Sequence, residues 1–92
     1  MVTTSTQTIS GNFIQSLPTS QGLTQFSFLR KDMLLGKRYF ILAMDKNLRA
    51  YWFSMEQRGG QWKINNPEKV PEWIRIIEDE LSQAIAVKNA VC

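Results

Sequence analysis

The chain predicts an α+β domain, an antiparallel β-meander of four to six strands with one long C-terminal α-helix packed on one face. Three observations carry this expectation. Between residues 24 and 64, short runs rich in aromatic and β-branched side chains alternate with turn residues. Gly59-Gly60 stands between two such runs as a strong hairpin signal. From Pro71 onward the apolar period changes from two residues to three and four, the spacing of a helix face. Ninety-two residues give room for one small domain, residues 1–92, with the sheet over 11–66 and the helical part over 67–92.

Residues 1–22 are rich in Ser, Thr and Gln. Residues 1–10 admit disorder. They also admit a hairpin in which Ser10-Gly11 joins Thr4–Ile9 to Asn12–Leu17. Order is expected from about residue 10, because Phe13, Ile14 and Leu17 favour burial. Leu17–Gly22 then reads as a turn. Thr24–Phe28 alternates with period two, as a half-buried strand does. Lys31–Gly36 reads as a connection, Arg38–Met44 and Leu48–Glu56 as strands, and Asp45-Lys46-Asn47 as the tight turn between them.

Register follows from the turns. Centring a two-residue turn on Gly59-Gly60 sets Arg58 against Gln61, Gln57 against Trp62, Glu56 against Lys63 and Met55 against Ile64. This pairs opposite charges and matches apolar neighbours. Centring the preceding turn on Lys46-Asn47 sets Met44 against Arg49, Leu42 against Tyr51 and Phe40 against Phe53. One face then collects Phe26, Phe28, Phe40, Leu42, Tyr51, Phe53, Met55, Trp62 and Ile64. The other carries Tyr39, Ile41, Ala43, Ala50, Trp52 and Ser54. A slip of one residue at that turn would exchange the faces.

Asn65-Asn66-Pro67 ends the last strand. Pro71 in a first turn and Glu72 at the positive end of the helix dipole start a helix over roughly 71–89. Trp73, Ile74, Ile77, Leu81, Ala84 and Ile85 form its apolar stripe. Glu72, Arg75, Asp79, Ser82 and Gln83 lie opposite, with Arg75 and Asp79 spaced as an i,i+4 pair.

Composition narrows the chemistry. The chain has 43% hydrophobic and 21% charged residues, an ordinary globular balance. It has no histidine, which removes the usual nucleophile–base pairs and most metal sites. No glycine-rich phosphate loop is present, and Glu78 and Glu80 diverge on a helix. The expectation is a non-catalytic protein with neither metal nor cofactor. The single cysteine, Cys92, makes no internal disulfide. It reads as a tail thiol before it reads as an intermolecular link or a lipidation site. The first residues have no basic n-region and no apolar h-region, and no run is long enough to span a membrane. A cytoplasmic setting without membrane contact is the expectation.

Charge is unevenly spread. Residues 1–29 carry none, residues 30–66 carry a net +5 and residues 67–92 a net −2, within an overall +3. Two surfaces follow as candidates. Tyr39, Ile41 and Trp52 make an apolar second sheet face. It suits a homodimer or another protein, unless the N-terminal segment covers it. An edge strand offers the same kind of contact. Lys37, Arg38, Lys46, Arg49, Arg58 and Lys63, interleaved with aromatic residues, suit single-stranded nucleic acid, because phosphates attract cations and every base has a π-face. The plain structural reading of these cations is solubility and protection of strand edges. Glu78-Asp79-Glu80 reads as a solvated helix face. The meander-then-helix outline resembles the Whirly-type and transcription-coactivator-type single-strand-binding folds, although no motif of those families stands in these residues.

Overall fold

The structure, a computed structural model, describes residues 12–34 and 36–91. The Thr4–Ile9 arm of the expected hairpin, its Ser10-Gly11 turn, the expected disorder of residues 1–10 and Cys92 all lie outside these residues. Five strands form one antiparallel meander: β1 (Phe13–Thr19), β2 (Gly22–Met33), β3 (Gly36–Met44), β4 (Ala50–Arg58) and β5 (Gln61–Ile64). A 3-10 turn (Pro67–Lys69), a single helical turn α1 (Glu72–Arg75) and the longer helix α2 (Glu78–Val91) follow. The α+β meander with its C-terminal helix is therefore the architecture of this chain.

The Gly59-Gly60 turn closes as expected. Both glycines take positive φ, 60° and 86°, as a type I′ hairpin turn requires. The four pairings from Arg58–Gln61 to Met55–Ile64 are those the turn chemistry predicts. The expected connections at 17–22 and 31–36 are shorter than foreseen. β1 runs to Thr19, and β2 extends from Gly22 to Met33.

The β3–β4 register corrects the sequence reading. Met44 pairs with Ala50, Leu42 with Trp52 and Ile41 with Phe53, one residue away from the pairing that a Lys46-Asn47 turn sets. The loop spans Asp45–Arg49, and the Asp45–Arg49 backbone bond leaves three residues at its tip, Lys46–Leu48, where a two-residue turn was expected. Within it Leu48 takes φ 64°, a left-handed conformation more usual for Gly or Asn. Asp45 holds the loop. Its amide donates to Arg49 O at 3.0 Å, and its Oδ1 accepts from the Asn47 and Arg49 amides at 2.9 Å each. The extra loop residue turns β3 over. Tyr39, Ile41 and Ala43 are fully buried, while Phe40 and Leu42 lie on the other side and are only half-buried. On β4 the assignment holds, with Phe53 and Met55 buried and Trp52 outside.

The helical segment breaks once where continuity was expected. The Ile77 amide donates to Ile74 O at 3.1 Å, a tightened three-residue step between α1 and α2. The break lets the two pieces cover different strands. Trp73 of α1 meets Tyr51 of β4 edge-on at 5.7 Å. Further along, α2 lays Leu81 and Ile85 into the core and reaches β3, where the Tyr39 hydroxyl donates to Asn89 Oδ1 at 3.2 Å. The expected apolar stripe is the buried one. Arg75 donates its Nε–H to Val70 O at 3.0 Å rather than reaching along the helix.

Candidate interaction face

Among the described residues, the sheet has a helix-covered side and an open side. On the covered side Phe13 stacks on Phe28 at 4.3 Å, and Tyr39 meets Trp62 edge-on at 5.1 Å. Tyr39 and Ile41, expected on an interaction face, are thus core residues. Of the three expected face residues only Trp52 is on the open side, where 62% of its surface is exposed. Phe40 and Leu42 take the places that the slipped register had given to Tyr39 and Ile41.

The pairings arrange the open side in cross-strand rows. Ile14, Ser27, Leu42 and Trp52 lie side by side on β1 to β4. The next row is Leu29, Phe40 and Ser54, and a row on the other flank ends in Met44 and Ala50. These rows contain no charged side chain. At the usual spacing of strands and residues they cover about 400 Å² of sheet. That area includes the polar Ser27 and Ser54, so the apolar surface within it lies toward the low end of the range for the largest apolar patch on a typical monomer. Ile14 is 61% exposed, which reverses its expected burial. On this side Ser54 is held by Asn65, whose Nδ2 donates to Ser54 Oγ at 3.0 Å.

The six candidate cations divide between the two ends of the strands. Lys46 and Arg49 are exposed at the β3–β4 loop. Lys37, Arg38, Arg58 and Lys63 lie at the opposite end, where three of them meet carboxylates. Arg38 pairs with Glu56, Arg58 approaches the same Glu56 at 3.8 Å, and Lys63 approaches Glu78 at 3.8 Å. Lys37 is paired along the sheet with Asp32. The structure therefore does not gather the six into one stripe. No family model matches the chain, and neither a similar curated protein nor a similar solved structure is found.

At the loop end, Asp45 keeps its carboxyl below the usual carboxylate range. The Arg49 amide is the chief cause, with burial opposing it and the Asn47 amide and Tyr51 hydroxyl assisting. The Asp45 carboxylate serves loop geometry. No helix among the described residues is long and apolar enough to cross a membrane.

Sequence reasoning missed Phe40, Leu42, Ile14 and Leu29 as face residues. The first two were hidden by the turn register, which no local signal corrects, because Leu48 has the look of a strand residue.

Proposed function

We propose that this chain is a non-catalytic binding module that self-associates through the open side of its sheet. The observation that carries this reading is the uncharged set of rows around Trp52, with an exposed indole at its margin. A copy of the same face is a matching partner: sheets stack about 10 Å apart at a modest angle, and a twofold axis pairs the patch with itself. No like charges meet at its centre. Two patches together bury about 800 Å², at the weak end of specific interfaces, so the dimer forms reversibly with concentration.

The test is sedimentation equilibrium across a range of concentrations on the parent chain and on Trp52→Lys. The parent is expected to shift toward dimer as concentration rises, and the variant to associate at least tenfold more weakly with an unchanged fold. A parent that stays monomeric at millimolar concentration defeats the reading.

A second reading rests on one observation. Phe40 and Trp52 are diagonal neighbours on adjacent strands, the arrangement of a base-stacking platform. Quenching of Trp52 by a single-stranded oligonucleotide, weakening steeply with salt, supports it. The pairing of Arg38, Arg58 and Lys63 within the chain ranks it below self-association.

A further inference from the structure

A concave surface lies on the helix side, away from the open face. Strand β1 and helix α2 border a groove of about 440 Å³, within the range of clefts that hold a ligand group. Its apolar lining is Leu17, Ala84 and Val87, and Val87 is 54% exposed. Asp79 and Glu80 stand at its side as exposed acids.

The β3–β4 loop has the complementary form. Leu48 projects there with 79% of its surface exposed, between Lys46 and Arg49. Its φ of 64° is a conformation that costs a branched side chain energy and that glycine would adopt freely. The Leu48 amide closes the turn by donating to Asp45 O at 2.9 Å, but its side chain is exposed and adds nothing to the core. The Asp45 hydrogen bonds fix the loop before any partner arrives, so little order is lost on docking. Within one chain the loop and the groove stand on different strands. It caps β3 and β4, and β2 separates those strands from β1.

We propose that the β3–β4 loop of a second copy docks in this groove, with Leu48 against Leu17, Ala84 and Val87, and Lys46 and Arg49 beside Asp79 and Glu80. The occupant is chosen by charge. The loop belongs to the basic part of the chain and the groove to the acidic helix. Two copies can engage reciprocally, loop to groove and groove to loop, which doubles the contact and closes the pair. This contact is independent of the open sheet face.

Sedimentation equilibrium of the full chain tests it with three variants. Leu48→Gly removes the projecting side chain while suiting the backbone, so the fold is kept. It is expected to raise the dissociation constant of self-association at least tenfold. Lys46→Glu with Arg49→Glu, and separately Asp79→Lys with Glu80→Lys, are each expected to associate as weakly as Leu48→Gly when alone. Mixed in equal amounts they are expected to associate again, because both contacts of the mixed pair are then complementary. Should the groove variant fail to fold, Leu48→Gly and the loop variant decide. Parent-like association of Leu48→Gly overturns the proposal, and so does a mixture no stronger than its components. If Trp52→Lys abolishes association while Leu48→Gly leaves it intact, the open-face dimer stands and the groove contact falls. The reverse pattern supports the groove contact and removes the open-face dimer.

Discussion

Leu81 and Tyr39 are both fully buried, and they enter the core from opposite layers. Leu81→Ala is expected to cost about 2–5 kcal/mol, the range for leucine truncation in a packed core. Tyr39→Ala removes a larger ring together with its hydrogen bond to Asn89, and about 3–5 kcal/mol is expected from the ring alone. Denaturant titration reads both. A loss below about 0.5 kcal/mol at Tyr39 is the behaviour of a surface residue and would put β3 back in the register of a Lys46-Asn47 turn. Asp45 makes a pH prediction at the same scale. Its carboxyl is held below 3.8, so the loop's hydrogen bonds favour folding above that value and are lost as pH falls through the lower, folded-state pKa. Amide resonances of Asn47 and Arg49 should therefore move in acid, at a midpoint below that of an unstructured aspartate. A midpoint at or above 3.8 contradicts the clamp.

At the scale of elements, the far edge of the sheet shows how the helix completes it. The Trp62 amide donates to Ser82 Oγ at 3.0 Å, and the Ile64 amide to Glu78 Oε2 at 2.8 Å. Side chains of α2 thus take the place of a sixth strand along β5, which protects an edge that would otherwise invite pairing. Ser82→Ala leaves the Trp62 amide without this acceptor, and a loss of about 1–3 kcal/mol is expected for a buried donor so orphaned. Wild-type protection of the Trp62 amide from hydrogen exchange in Ser82→Ala would show that the serine does not seal the edge. The helix stripe was readable because Ile74, Ile77, Leu81 and Ile85 repeat at helical spacing. The edge seal was not, since Ser82 and Glu78 look like solvated residues until β5 is placed beside them. The two hairpins on β4 show the same limit. Gly59-Gly60 announces positive φ by composition, and its register was legible. Leu48 adopts positive φ without any such sign, so the loop was read one residue short and β3 was turned over. Trp52 kept its place because β4 is anchored by the legible turn.

Across the described part of the molecule, charge is unevenly placed. The open sheet side is uncharged through its middle, the β3–β4 loop end is basic, and the exposed start of α2 is acidic. Salt should therefore act differently on the two proposed self-contacts. Burial of uncharged rows around Trp52 does not depend on screening, and excluded salts such as sulfate strengthen it slightly. Attraction between Lys46 or Arg49 and Asp79 or Glu80 weakens as the screening length falls from about 10 Å at 0.1 M to about 3 Å at 1 M salt. In the Leu48→Gly background, where only the open face is left, the dissociation constant should be nearly constant between these salt concentrations. In the Trp52→Lys background, where only the loop and groove are left, association should fade over the same range. Fluorescence-detected sedimentation on both variants reads the difference directly. Strong salt dependence in Leu48→Gly would overturn the assignment of its remaining association to the uncharged rows alone.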